Sequence, residues 1–293
     1  MVLPTVFPEA RARAEGLARR TSLGVGGAPE FLFEPTSEEE AARLLALCNL
    51  AGVPVRFLGG GTNLIVRDGG VEGAVIATRG LRGVRVLDDR VQVAAGQSFS
   101  GLVRHAARWG IPVLPGCPGI PGSVGGAVVM NAGGRYGTTG EALQEVRGID
   151  EQGRLFSREV KEADVGYRWT DFGRVLVTGA TFRRDRSADR AGAESLYARA
   201  LAAKRSTQPL AERSAGCTFK NPGGAEPAGR LIEAAGLKGR RVGGAVISER
   251  HANFIVNDRA ATGADVEALI EVVQREVLAA HGVRLELEPV LWA

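Results

Sequence analysis

The chain has 293 residues, of which 44% are hydrophobic and 24% charged, with 41 Gly, 13 Pro, 3 Cys, 3 His, 10 Phe, 3 Trp and 3 Tyr. This is the composition of an ordinary soluble globular protein of two domains, or of one large domain with a lobe, and it excludes disordered and collagen-like chains. The 37 basic and 33 acidic residues leave a net charge of +4, and because Lys161, Lys204, Lys220 and Lys238 are the only lysines, arginine supplies nearly all of the positive charge. Such a mild positive field suits an anionic ligand.

At the N-terminus, MVLPTVFPEARAR breaks its short apolar stretch with prolines and then turns basic. No run approaches the roughly 18 apolar residues of a membrane span, so neither a secretory signal nor a membrane anchor is expected. Cys48, Cys117 and Cys217 are odd in number and lack C-x-x-C spacing, as befits a reducing cytoplasm. The arginine-rich stretches 11–20 and 183–190 are expected to be solvated surface, since neither interleaves aromatics as a nucleic-acid platform does.

Ser37 and Glu40 stand at capping-box spacing ahead of Ala41, Leu44, Leu45 and Cys48 on one face, which predicts a helix over 37–50 with Cys48 buried. Short β-rich runs follow to about residue 99 (VRFL, LIV, AVIAT, VRVL, VQVAA), then a helix over 98–109 and further strand-like runs LQEVRGI, GRLFS and RVLVTGATF. The polar stretch RRDRSADRAG reads as a domain boundary. Beyond it the pattern predicts a helix over 194–205, a shorter one opening at Pro227, and a long one over 263–281 with Val266, Leu269, Ile270, Val273 and Val277 at helical spacing. A final strand is expected over 283–291, with Val283, Leu285 and Leu287 on one face and Arg284, Glu286 and Glu288 on the other. Sheet-rich and helix-rich parts in succession favour an α+β fold over a doubly wound sheet.

The chain lacks G-x-G-x-x-G, a Gly-Lys dipeptide for a phosphate loop, and H-E-x-x-H. Its glycines gather instead in FLGGGTNLIVRDGG (57–70), where main-chain N–H groups uncovered by side chains could hold a pyrophosphate, and in PGCPGIPGSVGGAVVMNAGG (115–134). The second block places Gly116, Gly119, Gly122 and Gly125 three apart and reads as too small and rigid for an amphipathic element, with backbone against which a flat ligand could lie. Five of the six asparagines, Asn63, Asn131, Asn221, Asn253 and Asn257, fall in or beside these blocks, GCTFKNP or HANFIVN, where amides that orient a ligand would concentrate. His105, His251 and His281 are dispersed, without the spacing of a metal site, and no metal is expected.

Taken in order, FLGGGTNLIV, GIPGSVGGAVVMNAG, YRWTDF, GCTFKNP, HANFIVN and LELEP resemble the UDP-N-acetylenolpyruvoylglucosamine reductase (MurB) family over nearly the whole chain. The compact length resembles the shorter branch, which lacks the inserted tyrosine-bearing loop. The resemblance implies an α+β FAD-binding fold of the vanillyl-alcohol-oxidase/p-cresol methylhydroxylase type with a separate α+β substrate lobe. The expected domains are an FAD-binding domain over 1–185 (subdomains 1–58 and 59–185), a substrate-binding domain over 186–282, and a C-terminal strand over 283–293 that contributes to the active site. It further implies a cytoplasmic NADPH-dependent flavoprotein oxidoreductase of peptidoglycan synthesis, and so of cell-wall biogenesis, cell shape and cell division.

The same resemblance implies site residues. Gly59, Gly60, Gly61, Thr62, Asn63 and Leu64, with Pro115, Gly119, Ile120, Pro121, Gly122, Ser123 and Gly126, would hold FAD. The attachment is expected to be non-covalent, since neither block has a histidine and Cys117 is the only thiol nearby. Cys217 would donate a proton, and an ordinary thiol, with a pKa near ~8.5, is mostly protonated at neutral pH. Arg168 would bind developing carboxylate charge through a bidentate fork. Glu288, rather than Glu286, would assist the enol form, as a carboxyl beside an enolate does when it carries or shares a proton. Arg205, Lys220, Asn221 and Asn253 would bind the diphosphate and sugar, with Lys204 competing for the role of Arg205. The partners are a UDP-sugar and NADPH, with no nucleic acid, membrane or obligate protein partner. Two alternatives stand beside this: another FAD-dependent oxidase or dehydrogenase of the same fold, and a non-catalytic nucleotide-sugar or RNA-binding protein.

Overall fold

The computed structural model describes residues 15–223 and 226–293. The N-terminal motif MVLPTVFPEARAR and the start of the arginine-rich stretch 11–20 lie outside them. The chain forms two compact units: the first contains Phe31–Gly60 and Gly73–Ala203, the second residues 15–30, Gly61–Glu72 and Lys204–Ala293. These units divide the chain differently from the expected domains. The later change of unit falls inside the helix Arg190–Thr207, beyond the polar stretch that reads as a boundary. That helix also starts earlier than its apolar spacing suggests: Asp189 accepts the Gly192 N–H at 3.0 Å and Arg190 pairs with Glu194 at 2.7 Å, so polar contacts extend it.

In the first unit, the helix Glu38–Leu50 opens on Ser37, whose hydroxyl accepts the Glu40 N–H at 3.1 Å. Its buried face, Ala41, Leu44, Leu45 and Cys48, packs with Phe33, Ala74 and Ile76, residues of a three-stranded sheet ordered Pro29–Phe33, Val71–Ala77, Val55–Leu58. Burial pushes the Cys48 thiol pKa up. A five-stranded antiparallel sheet, ordered Leu155–Glu159, Leu143–Ile149, Leu176–Arg183, Arg90–Ala94, Val84–Val86, carries the main core. Val91, Val93, Val146 and Phe182 of that sheet meet Phe99, Leu102 and Val103 of the helix Phe99–Trp109.

The second glycine block corrects one expectation, because it contains a helix, Val124–Val129. Ser123 caps it by accepting the Gly126 N–H at 3.2 Å, and Val124, Ala127 and Val128 are buried in the core. A Cβ on Gly125 would stand 2.9 Å from the Cβ of Ala95. The glycine therefore serves the close packing of a helix that its composition conceals.

The second unit gathers Leu23, Val25, Ile65, Phe219, Ile232, Ile247, Leu269, Val273, Val277 and Leu285 into one core. The helix Gly263–His281 covers it, opening on a capping box between Thr262 and Asp265. Beside it lies an antiparallel sheet ordered Arg241–Val242, Ala245–Ile247, Ile255–Asn257. The expected strand over 283–291 is not one strand. Leu287 makes a single antiparallel bridge to Phe219, and only Val290–Trp292 forms a strand, parallel to Leu64–Val66. The chain changes partner at Glu288, whose N–H goes to the Thr218 carbonyl while its own carbonyl accepts from Asn63 Nδ2, and the next donor, the Val290 N–H, goes to the Asn63 carbonyl.

Candidate active site

The two glycine blocks meet in the first unit. A Cβ on Gly60 would lie 2.5 Å from the Gly122 Cα and 2.8 Å from the Ser123 nitrogen, and one on Gly59 would lie 2.6 Å from the Ser123 Oγ. The backbones thus touch at a separation only glycine permits, leaving main-chain groups as the surface, the donor set a pyrophosphate takes. Residues 122–125 are anchored in turn: Phe99 donates to the Gly122 carbonyl at 3.0 Å, Val124 to Gln97 at 2.8 Å and Gly125 to Ala95 at 2.9 Å. Pro115 lies in the buried turn Leu114–Gly116, and Ile120 packs on the core. Cys117 is buried, and its thiol donates to the Gly137 carbonyl at 3.2 Å.

The rest of the first block, Gly61 to Leu64, belongs to the second unit. Asn63 is tied to the C-terminal segment there: its Nδ2 donates to the Glu288 carbonyl at 3.3 Å and its own carbonyl accepts from Val290 at 3.0 Å. A residue expected to touch the cofactor therefore also fixes the backbone of Glu288.

Arg168 sits in the first unit on a hairpin of Val165–Gly166 and Trp169–Thr170, in the two-residue turn Tyr167-Arg168. Its φ is 57°, and its guanidinium carbon lies 5.2 Å from the centre of the Tyr167 ring. Thr170 is buried and donates to the Val129 carbonyl at 3.0 Å, so one arm of the hairpin hangs from the end of the helix Val124–Val129.

Cys217 and Glu288 lie in the second unit on adjacent backbone. Glu288 donates its N–H to the Thr218 carbonyl at 3.0 Å, and Lys220 donates to the Glu286 carbonyl at 2.9 Å, on either side of the Phe219–Leu287 bridge. Cys217 is half-buried. The register therefore sets Glu288 opposite the residue that follows Cys217. Glu286 is largely exposed and pairs with Lys220 Nζ at 3.7 Å, while Glu288 is half-buried.

Asn253 is 3% exposed and spends its whole carboxamide on one residue: Oδ1 accepts the Phe219 N–H at 2.9 Å and Nδ2 donates to the Phe219 carbonyl at 2.8 Å. Its carbonyl accepts from Thr218 at 2.8 Å. The amide expected on a ligand thus clamps the loop that carries Cys217 and Lys220. Asn221 is exposed and accepts the Ala228 N–H at 3.1 Å through Oδ1. Arg205 is exposed near the end of the helix Arg190–Thr207. His251, unassigned from sequence, accepts the Asn253 N–H through Nδ1 at 3.2 Å. Burial holds its pKa below the ordinary value, with the charge of Lys238 acting in the same direction.

Residues 29–158 match the model of an FAD binding domain, which makes this an FAD-binding protein of α+β architecture. Residues 208–292 match the C-terminal domain of UDP-N-acetylenolpyruvoylglucosamine reductase. The chain is 43% identical over 279 residues to that reductase from Synechococcus sp. (strain WH7803), covering 93% of this chain and 90% of the relative. It is 40% identical over 303 residues to the one from Desulfosudis oleivorans, covering 98% and 96%. The crystal structure of the reductase (MurB) from Thermus caldophilus superposes with a TM-score of 0.82 at 37% identity, covering 97% of this chain and 99% of that one. The chain belongs to the UDP-N-acetylenolpyruvoylglucosamine reductase (MurB) family. Among the described residues, no helix is long and apolar enough to cross a membrane.

Proposed function

We propose that the chain reduces UDP-N-acetylenolpyruvoylglucosamine to UDP-N-acetylmuramate, with NADPH as reductant, in peptidoglycan synthesis. One observation carries this reading: both family models lie on a single chain that matches named reductases over 93% of its length. FAD, once bound and reduced by NADPH, supplies the hydride that the methylene carbon of the enolpyruvyl group receives.

Gly59 to Leu64, together with Pro115, Gly119, Ile120, Pro121, Gly122, Ser123 and Gly126, hold the FAD, and the contact of Gly60 with Gly122 supports that assignment. The attachment is non-covalent, a reading supported by the engagement of the Cys117 thiol with Gly137. Arg168 binds the substrate carboxylate, whose negative charge grows as hydride arrives. Cys217 gives its proton to the adjoining carbon. Glu288 assists the enol form, and the pairing of Glu286 with Lys220 supports the choice between the two acids. Lys220, Asn221 and Arg205 bind the diphosphate and sugar, and Asn253 contributes by fixing the loop beneath them. The reaction belongs to the cytoplasm, a reading that the three free cysteines support.

The test is NADPH consumption by the purified holoprotein with and without the enolpyruvyl sugar nucleotide. Substrate-dependent consumption with formation of UDP-N-acetylmuramate is expected. Flavin reduced by an alcohol or simple sugar, with no response to the enolpyruvyl nucleotide, would overturn the reading in favour of another oxidoreductase of this fold.

A further inference from the structure

Asn131 is a buried residue to which none of these roles falls. It is 5% exposed, follows the helix Val124–Val129, and holds φ at 41°, a conformation that asparagine tolerates better than most side chains. Its carboxamide joins two other elements. Nδ2 donates to the Gly166 carbonyl at 2.8 Å, and Oδ1 accepts the Gly140 N–H at 2.8 Å. Gly166 is the last residue before the turn that carries Arg168. The other arm of that hairpin is held by the bond from Thr170 to the Val129 carbonyl. Both arms of the hairpin are thus fixed to the end of one short helix, whose first turn lies in the glycine block beside Gly60.

We propose that Asn131 is a positioning residue for the reduction, holding the hairpin so that the Arg168 guanidinium meets the substrate carboxylate. The inference rests on Arg168 acting at that carboxylate. Only a carboxamide meets both demands, since one end must donate to a carbonyl and the other must accept from an N–H. Asn131→Asp keeps the acceptor for Gly140 but sets an oxygen against the Gly166 carbonyl oxygen, and the arm of the hairpin must move away. A misplacement of about 1 Å in a group that binds growing charge costs on the order of 100-fold in rate. The same amide could instead serve only to join the helix to the segment Thr139–Ala142, and its loss would then damage the fold as a whole.

The experiment makes Asn131→Asp in the wild-type holoenzyme and in Arg168→Ala. It measures flavin content, melting temperature, the rate of flavin reduction by NADPH, and the rate at which reduced flavin is reoxidised by the enolpyruvyl sugar nucleotide. Asn131→Asp should slow reoxidation about 10- to 100-fold while flavin content is retained. In the Arg168→Ala background the same change should alter reoxidation by no more than about twofold, because the group it positions is gone. An equal fold-loss in both backgrounds, or reduction and reoxidation slowed in proportion, would overturn the proposal in favour of a purely structural amide. If Arg168→Ala alone reoxidises at the wild-type rate, the assignment of Arg168 fails and takes the positioning role with it, an outcome distinct from equal losses. Should Asn131→Asp not fold, Asn131→Gly, which suits the positive φ and removes both bonds without adding charge, carries the same expectations.

Discussion

The Arg168 hairpin and the Cys217 loop are each braced by a buried asparagine, yet they are held differently. Asn253 directs both ends of its amide at Phe219, in a loop that is also paired with the backbone of residues 286–288 and bonded through Thr218 Oγ1 to the Ile255 N–H at 3.3 Å. Asn131 spreads its two bonds over Gly166 and Gly140; the short hairpin it steadies is also tethered by Thr170, and Arg158 pairs with Asp164 and Asp171 at its two ends. The first arrangement sits inside a hydrophobic core with Phe219 at 1% exposure. The second holds a turn whose neighbours Tyr167 and Trp169 are 60% and 51% exposed. A cysteine on a loop braced within the core and an arginine on an exposed turn are expected to respond differently to mutation: damage near Cys217 should fall first on stability, damage near Arg168 first on rate.

The largest stability effect expected is that of Asn253→Ala. It leaves the buried N–H and carbonyl of Phe219 without partners, a cost of about 2–4 kcal/mol, to be read as a lowered melting temperature and denaturation midpoint. A loss under about 0.5 kcal/mol would mean that the loop does not depend on its clamp. Thr170→Val, similar in shape, removes the bond to the Val129 carbonyl and the weaker acceptor of the Phe172 N–H, and should cost about 1–2 kcal/mol while slowing turnover by more than that loss explains. If stability falls and turnover does not, the contrast between the two regions fails.

The smallest effect concerns pH. Burial and Lys238 lower the His251 pKa, with Glu233 opposing them, so folding favours the neutral imidazole. The unfolded chain takes up a proton first as pH falls through about 6.5. His251 therefore contributes stability that is present above that value and lost as pH falls toward the lower folded pKa. Protonating Nδ1 would also remove the acceptor of the Asn253 N–H. Melting temperatures of wild type and His251→Gln between about pH 8 and about pH 5 should show a shallower decline in the variant, and identical slopes would contradict this account.

Long amphipathic helices were readable from the sequence because cap and period agree: Ser37 and Thr262 open helices at the expected places, and Gly282 closes the last one. The C-terminal strand is not legible because the alternation of Val283, Leu285 and Leu287 carries no sign that the chain passes from Thr218 to Asn63 at Glu288. Only the third dimension reveals that 286–288 and 290–292 pair with different segments. The helix Val124–Val129 escaped because glycines that permit close packing also weaken every helical signal. Clustering of asparagines beside the motif blocks was visible, but its cause was not. Asn131, Asn253 and Asn257 are buried and joined to main-chain groups, so these three residues brace loops. Family resemblance named Arg168, Cys217 and Glu288; what steadies them depends on contacts 30 or more residues apart, such as Asn131 with Gly166 and Asn253 with Phe219.

The assignment of Cys217 as proton donor is tested most directly in a single turnover, mixing flavin-reduced holoenzyme with the enolpyruvyl sugar nucleotide and following the return of oxidised-flavin absorbance. Wild type should reoxidise fastest, Cys217→Ser more slowly, and Cys217→Ala roughly 100- to 10,000-fold more slowly, the range general acid catalysis supplies. Equal rates in Cys217→Ala and wild type would contradict the assignment.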